Sequence, residues 1–340
     1  MSEVVPEPSP ELQLLYEARR KREQIEDVQK CEQSLSHFIK QAWPSLKPDD
    51  TYVHNWHIDA VAEHLEAVTS GEITRLQVWL PPGAMKSLSV SVFWPAWEWT
   101  TKPNMRYWGA SYETRFAARL SAMSRDLMLS DWYQERWGDK FRFTRDAENY
   151  YANDHGGTRL ATSPESVGTG EHGHRVLIDD PVKAKEADAV SGAILKDVNE
   201  WYDGTVATRG LEIGFTPARI IVMQRLSEFD LAAHALEIEE WDVLCLPENA
   251  NFLMFLKMSP TPGPPSRSED FAVSVVAFCV EDDDSTITTV TMSPAARARR
   301  SAQNARLSSR QSDSAEAEPK AIVLRTTKAA ALHKVLALNS

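Results

Sequence analysis

Cysteine is scarce in this chain of 340 residues. Cys31, Cys245 and Cys279 are isolated in the sequence and odd in number, so we expect neither the disulfide frame of a small secreted domain nor a zinc site. Reduced thiols in a cytoplasm fit this pattern. The chain is long enough for two domains and a sizeable core.

Long apolar runs are also missing. No run approaches the roughly 18 residues that are needed to cross a bilayer. The first residues, MSEVVPEPSPE, are acidic and rich in proline, and they lack the apolar segment of a signal peptide. We therefore expect a cytoplasmic protein with no membrane partner.

Positive charge is in the minority, because the formal net charge is −12. This balance disfavours a protein that coats nucleic acid with one broad basic face, since such binding depends on Lys and Arg contacts to phosphate. It leaves room for a local basic groove, or for a partner subunit that holds the DNA.

Glycine is nearly absent from a stretch that otherwise has the layout of a phosphate-binding loop. In RLQVWLPPGAMKSL, residues 75–88, a short apolar strand is followed by a Pro-Pro-Gly turn, a Lys-Ser pair and an apolar segment that predicts a helix. In such loops backbone N–H groups hold phosphate oxygens, the Lys spans two phosphates and the Ser binds Mg²⁺. The predicted binding residues are Pro82, Gly83, Ala84, Met85, Lys86 and Ser87.

This motif is weak alone, because Leu80 and Met85 stand where the standard G-x-x-x-x-G-K-[ST] pattern has glycine. An ordinary loop explains it slightly better until a second motif is considered. That second motif is an apolar strand, residues 176–178, followed by Asp179 and Asp180. Two carboxylates at a strand end suit a nucleotide hydrolase, one holding Mg²⁺ through water and one orienting or deprotonating the attacking water. An Asp-Asp-Pro turn explains the second motif alone, but the two motifs together favour an ATPase.

Strands alternate with helices from about residue 70 to 247, which predicts an α/β fold with a mainly parallel sheet and helices on both faces. The predicted strands are 76–80, 105–110, 158–162, 176–178, 218–223 and 241–246. The predicted helices are 11–40 (broken by Pro44 and Pro48), 51–68, 88–99, 112–129 (capped by Ser111), 187–205 and 229–239. Since the carboxyl ends of parallel strands share one edge, Lys86, Asp179 and Gln224 should converge there.

Several other charged groups have a structural interpretation that we prefer. His54, His57 and His64 lack the spacing of a metal site and are expected on a helix face. For Arg115, Arg119 and Arg125 we favour a solvated helix face over phosphate contacts.

The composition changes past about residue 258. All 11 tryptophans lie between Trp43 and Trp241, and no aromatic residue follows Phe278. Residues 293–320 are rich in Ala, Ser and Arg and predict disorder. Residues 271–280 predict a strand, and residues 321–338 predict a short strand and a helix. The Asp run at 282–284 is expected to be a solvated loop.

From about Ser34 to Leu246 the chain resembles the large terminase subunit of tailed phages, an ATP-driven motor that packages DNA into capsids. Eight blocks occur in the order of that family and span nearly two-thirds of the chain: FIKQAWP, YVHNWHIDAVAEHLEAV, LPPGAMKS, FWPAWEW, ASYETRFAARLS, SDWYQERWGDKF, TGEHGHRVLIDDP and VMQRLSEFDL. The resemblance implies a RecA-like P-loop ATPase of the additional-strand type, in which the phosphate loop often departs from the glycine-rich pattern.

The resemblance also implies roles for single residues. Lys86 would contact the β- and γ-phosphates of ATP, Ser87 would ligate Mg²⁺, and Asp179 would bind Mg²⁺ through water. Asp180 stands where the family usually has a catalytic Glu, so the base would have a shorter reach.

The same resemblance implies roles at six further positions. Gln224 and Arg225 align with the motif that senses the γ-phosphate and relays hydrolysis to DNA movement. Trp56 and His57 resemble the adenine-side motif. An arginine finger is expected, and Arg175 is the first choice, with Arg119 behind it.

The resemblance predicts three regions: a flexible or helical extension (1–33), a P-loop ATPase domain (34–250) and a divergent, partly disordered tail (251–340) in place of the family's nuclease domain. We therefore expect no nuclease activity. Double-stranded DNA, a small terminase subunit, a portal protein and a homo-oligomeric ring are the implied partners, in the cytoplasm of a bacterial host. The alternative is a truncated prophage remnant that binds nucleotide or a partner without turnover. A helicase-like ATPase is disfavoured by the ordered blocks.

Overall fold

A computed structural model describes residues 9–166, 172–183, 192–206 and 216–245, together with the backbone of two short strands at 274–275 and 323–326. The predicted disorder of residues 293–320 lies outside this part of the chain. The predicted acidic loop at 282–284 and the start of the predicted helix at 187–205 lie outside it as well.

The centre of the fold is a mixed sheet in which parallel strands predominate. Its main strands are Arg75–Trp79 (β1), Arg106–Ser111 (β2), Phe143–Ala147 (β3), Tyr150–Asn153 (β4), Thr158–Thr162 (β5), Arg175–Asp179 (β6), Ala218–Met223 (β7) and Trp241–Cys245 (β8). The strands lie in the order β3-β4-β5-β2-β6-β7-β1-β8. Pairing is parallel from β5 to β8, and β3 and β4 add to the β5 edge in antiparallel fashion. Beyond β8 the sheet continues with Val323–Thr326 and then Ser274–Val275, both antiparallel.

Helices surround this sheet. They are Pro10–Gln33 (α1), Leu35–Leu46 (α2), Trp56–Ser70 (α3), Trp94–Thr101 (α4), Thr114–Leu129 (α5), Asp131–Trp137 (α6), Ala193–Trp201 (α7) and Leu231–Ile238 (α8), with π-helical segments at Leu88–Phe93 and Tyr202–Val206. None of the described helices is long and apolar enough to cross a membrane.

Two cores lie on opposite faces of the sheet, as the alternation of side chains along β7 shows. Ile220 and Val222 join a core with α2, α3, α4 and α6, whereas Ile221 and Met223 join a core with α7 and α8. Every residue of β6 and β7 is buried. A strand that is buried on both faces has a continuous apolar run, which is why these two strands were recognisable in the sequence. The predicted α/β fold with a mainly parallel sheet is confirmed.

Several local predictions were wrong. The helix predicted over 11–40 is two helices, because Ser34 ends α1 and caps α2 by accepting a hydrogen bond from the N–H of His37. Pro44 lies inside α2 and does not end it. Ser111 does not cap α5: it ends β2, and its Oγ donates to the carbonyl of Asp180. The β3–β4 hairpin was missed because β3, FTRDA, is largely exposed and polar.

Candidate functional site

The three loops expected to converge do leave neighbouring strands. β6, β7 and β1 are adjacent in the sheet and parallel, so the segments after Asp179, Met223 and Trp79 leave from the same edge. The N–H of Leu80 donates to the carbonyl of Met223 at 3.3 Å, and the N–H of Asp180 donates to the carbonyl of Val222 at 2.8 Å. These bonds continue the sheet by one residue and fix where each loop begins.

The loop from Leu80 to Ser87 turns through two left-handed residues. Gly83 has φ of 82° and Met85 has φ of 57°. The first suits glycine, whereas the second costs a residue with a Cβ about 1–2 kcal/mol. Ala84 and Met85 pack against the core on the α2–α3 side of the sheet, which offsets this cost. At the position where the sequence motif has glycine, Met85 thus adopts a left-handed conformation, which glycine adopts more easily than residues with a Cβ do.

Asp179 lies beneath the loop and is 2% exposed. Its Oδ1 accepts a hydrogen bond from Ser87 Oγ at 2.8 Å, and its Oδ2 accepts one from Ser91 Oγ at 2.6 Å. Burial, together with the neighbouring charge of Asp180, raises the pKa of Asp179 to about 6, although both hydroxyls and Lys86 act in the opposite direction. This carboxylate is therefore both fixed in orientation and costly to keep charged without a cation.

Asp180 faces the other way. Its Oδ2 lies 2.9 Å from Lys86 Nζ, and its Oδ1 accepts the backbone N–H of Gln224 at 3.3 Å. Its backbone is left-handed, with φ of 44°. The carbonyl of Asp180 also accepts the N–H of Tyr112 at 3.3 Å. Strain of this kind persists only where surrounding contacts determine the conformation, and here they direct the side chain to the lysine.

Four predicted residues therefore form one interacting group: Lys86, Ser87, Asp179 and Asp180. A hydroxyl and a carboxylate are the oxygen ligands that Mg²⁺ prefers, and a Lys ammonium beside them matches a phosphate. Lys86 is 8% exposed and Asp180 is 28% exposed, so the pair is open to solvent on the side of Asp180. The residues present fit Mg²⁺ bound to a nucleotide phosphate.

Gln224 and Arg225 enter the site differently from one another. Gln224 reaches Asp180 through its backbone N–H. Arg225 forms an ion pair with the fully buried Asp230 at 2.9 Å, and its guanidinium carbon lies 4.5 Å from the ring centroid of Trp79. Asp230 in turn caps α8 by accepting the N–H of Ala233. The contacts of Arg225 thus hold the loop from β7 to α8, and its catalytic role stays a prediction.

Trp56 and His57 begin α3 beside the phosphate loop. Burial lowers the pKa of His57, partly offset by a hydrogen bond to the backbone of Ala84. The His57 ring therefore supports the loop in its neutral form. His54 binds Asp59 at 2.9 Å, and His64 binds the carbonyl of Ala60 at 2.7 Å. His57 and His64 lie on α3 as expected, whereas His54 precedes the helix, so the helix-face prediction was wrong for His54.

Arg175 lies away from this group, and the arginine-finger role that the resemblance implies for it stays a prediction. It is the first residue of β6, whereas Asp179 is the last, about 13 Å along the strand. Its guanidinium forms an ion pair with Glu98 at 2.6 Å, and Glu98 is fully buried and also accepts from the Tyr107 hydroxyl. These contacts hold the Arg175 guanidinium at the start of β6.

The helix-face interpretation of the other arginines fits the structure. Arg115 and Arg119 are exposed on α5. Arg125 forms ion pairs with Asp126 at 3.0 Å and Asp146 at 2.5 Å. Of these, only Arg119 was also considered as an arginine finger, and that role stays a prediction.

Ser91 was missed by the sequence reasoning. It lies four residues after Ser87, so the two hydroxyls share one side of the helical segment and reach the same carboxylate. The serine spacing K-S-x-x-x-S, once a helix had been predicted there, was the available signal.

A second group of potential ligands lies elsewhere, in Asp27, Cys31 and His37, whose ligand atoms are within 4.8 Å of one another. Asp27 is already engaged by His37 at 3.1 Å and by Arg136 at 3.5 Å. Burial raises the pKa of the Cys31 thiol to about 12. A cationic guanidinium and a protonated thiol both oppose metal binding, so we assign no ion to this group.

No protein-family model and no curated protein sequence matches this chain. Its function must therefore be inferred from the geometry at the carboxyl edge of the sheet and from the eight ordered sequence blocks.

Proposed function

We propose that the chain is an ATP-hydrolysing motor of the phage terminase type, with a RecA-like P-loop domain over residues 34–250 that couples hydrolysis to translocation of double-stranded DNA. The observation that carries this proposal is the contact between the two motifs. Ser87 of the loop and Asp179 of the carboxylate strand, 92 positions apart, are joined by a hydrogen bond of 2.8 Å. An accidental pair of turns has no reason to meet in this way.

The residues suggest how nucleotide would be received. Bound Mg²⁺ would neutralise developing charge on the transferred phosphoryl group. Ser87 would turn its hydroxyl from Asp179 to the metal, and Asp179 would hold the metal through water. Lys86 would leave Asp180 for the phosphates. Asp180, once released, would be free to orient or deprotonate the attacking water.

The contact of Asp180 with Gln224 offers a path to coupling. The N–H of Gln224 donates to Asp180 Oδ1. A movement of that carboxylate would therefore shift the backbone at the start of the loop between β7 and α8. Arg225 and Asp230 make that loop rigid. Transmission to DNA, a ring of subunits, a small subunit and a portal partner remain parts of the proposal that come from the resemblance.

The test is steady-state ATP hydrolysis by the full chain with Mg²⁺, with and without double-stranded DNA. Lys86→Ala should lower turnover by about 10²–10³, the usual loss when one charge-stabilising donor is removed from a transition state. Lys196→Ala is the control, because Lys196 is a surface lysine, 76% exposed in a pair with Glu200. Equal rates for wild type and Lys86→Ala would refute the proposal.

A non-hydrolysing nucleotide-binding remnant is the second candidate, and one observation favours it. Asp180 is the only carboxylate placed to act as base among the described site residues, and it is occupied by Lys86 at 2.9 Å. Its side chain is one methylene shorter than the usual Glu. If the wild type binds ATP but does not hydrolyse it, and Asp180→Glu does, the remnant is the better description.

A further inference from the structure

The segment that comes after the phosphate loop is distorted at one identifiable place. Leu88–Phe93 is π-helical, and the N–H of Trp94 donates to the carbonyl of Ser89, five residues earlier. Pro95 has no N–H, so it can donate neither to the carbonyl of Val90, its partner in a π-helix, nor to that of Ser91, its partner in an α-helix. The helix therefore leaves backbone acceptors without their usual donors at the level of Ser91.

Side chains from other elements donate to two carbonyls of this segment. Arg159, the second residue of β5, donates from Nη2 to the carbonyl of Ser91 at 2.7 Å. Ser124 on α5 donates to the carbonyl of Val92 at 2.9 Å. Arg159 is 2% exposed, and its guanidinium carbon lies 5.9 Å from the ring centroid of Tyr107. A buried arginine needs such partners, so its position is tied to that of Ser91.

The side chain of Ser91 completes the chain of contacts. Its Oγ donates to Asp179 Oδ2 at 2.6 Å, and Ser91 is itself 2% exposed. Ser87 holds the other oxygen, Oδ1, at 2.8 Å. If Ser87 turns to a metal ion, Ser91 is the only residue in the described part of the chain whose hydroxyl still donates to this carboxylate.

We infer that Ser91, held through its carbonyl by Arg159, is a positioning residue that keeps the Asp179 carboxylate aimed when Ser87 is taken up by Mg²⁺. This inference rests on the proposed function, since it concerns the metal side of the same site. Hydrogen bonds from a second layer of residues orient ligands in this way, and their loss typically weakens metal affinity 10–100-fold. Neither residue touches the nucleotide in this scheme.

The experiment measures binding of a fluorescent ADP analogue to the full chain, with Mg²⁺ and with EDTA. Ser91→Ala should reduce the Mg²⁺-dependent gain in affinity about tenfold and leave binding in EDTA nearly unchanged, because Lys86 and the loop remain. Ser91→Thr keeps a hydroxyl and should restore much of the gain. Arg159→Lys keeps the charge but lacks the planar fork, so it should lower the gain by a smaller factor.

Ser124→Ala is the matched control, because it removes a hydroxyl from the adjacent carbonyl of the same distorted segment without contact to Asp179. A loss in Ser124→Ala equal to that in Ser91→Ala would show general loosening of the helix and overturn the inference. So would an unchanged Mg²⁺-dependent gain in Ser91→Ala, or an equal loss with and without Mg²⁺. A wild type that binds no nucleotide would instead overturn the proposed function, and this inference with it.

Discussion

One ion pair lies where the parallel strands of the central sheet begin (the amino edge), and another lies where they end (the carboxyl edge). The two pairs differ in exposure, hydrogen bonding and backbone conformation. At the amino edge Arg175 and Glu98 are 7% and 0% exposed, and the Tyr107 hydroxyl adds a further bond to Glu98. At the carboxyl edge Lys86 and Asp180 are 8% and 28% exposed, and Asp180 has a left-handed backbone. The first pair is closed on all sides, whereas the second has one partner open to solvent. The difference suits a role of the first pair in supporting the fold, and the proposed function requires the second pair to open for a nucleotide.

The largest expected effect comes from breaking the pair at the amino edge. Arg175→Ala leaves the Glu98 carboxylate buried without its cation and should lower the free energy of unfolding by about 3–5 kcal/mol. Urea unfolding followed by tryptophan fluorescence measures this change. Arg119→Ala, an exposed arginine on α5, is the control and should stay within about 0.5 kcal/mol of wild type.

The double variant Glu98→Met and Arg175→Met sharpens that test. It removes both charges and fills the space with apolar side chains, so it should be much less destabilised than Arg175→Ala alone. If Arg175→Ala is as stable as Arg119→Ala, the pair does not support the core, and the arginine-finger role of Arg175 must be considered again.

The next effect concerns Asp179 and its pH dependence. The folded pKa of about 6 is above the value of about 3.9 for an unfolded Asp, so protonation favours the folded state. This contribution is present in full below about pH 4 and is lost as pH rises through 6. Asp179→Asn stays neutral, so at pH 8 it should be more stable than wild type by about 1–3 kcal/mol.

The measurement is urea unfolding of Asp179→Asn and wild type at pH 4 and pH 8. The gain at pH 8 should vanish at pH 4, where wild-type Asp179 is protonated as well. Asp49→Asn, at an exposed position, serves as the control. A gain of the same size at both pH values would mean that the change in packing, and not the charge, is responsible.

The carboxyl edge was predictable from the sequence because its residues come directly after apolar strands that are buried on both faces. β6 and β7 are recognisable as RVLID and ARIIVM, and the loops that leave parallel strands meet at one edge of the sheet. Lys86, Ser87, Asp179 and Asp180 meet as expected. The other contacts of the site and the core join residues that are far apart in the sequence. The ion pair of Arg175 could not be predicted, because no local pattern indicates that Glu98, 77 residues earlier, reaches it.

Ser91 and Arg159 escaped prediction for a related reason. Pro95 creates a need for a donor at the Ser91 carbonyl, but which side chain supplies it depends on the strand order β5-β2-β6. That order results from long-range pairing and is not encoded in local periodicity. In the β3–β4 hairpin β3 is exposed and lacks an apolar pattern, and β4 has only four residues, so neither the hairpin nor its place at the sheet edge could be predicted.

The smallest expected effect comes from removing one charge of the ion pair at the carboxyl edge, whereas the removal of one charge at the amino edge is expected to be costly. Asp180→Asn removes the negative partner of Lys86 but keeps an amide oxygen that can accept from the ammonium. We expect a change in unfolding free energy below about 1 kcal/mol, because Asp180 is partly solvated. Nucleotide affinity should rise a few-fold, since Lys86 no longer has to leave a carboxylate and the phosphates meet one negative charge fewer. Under the proposed function turnover should fall, because Asn cannot act as the base that Asp180 would provide. Binding of a fluorescent ADP analogue measures this change, with Asp49→Asn as control. Weaker binding by Asp180→Asn would contradict the prediction and show that the aspartate organises the loop for nucleotide. Both ion pairs would then have a structural role.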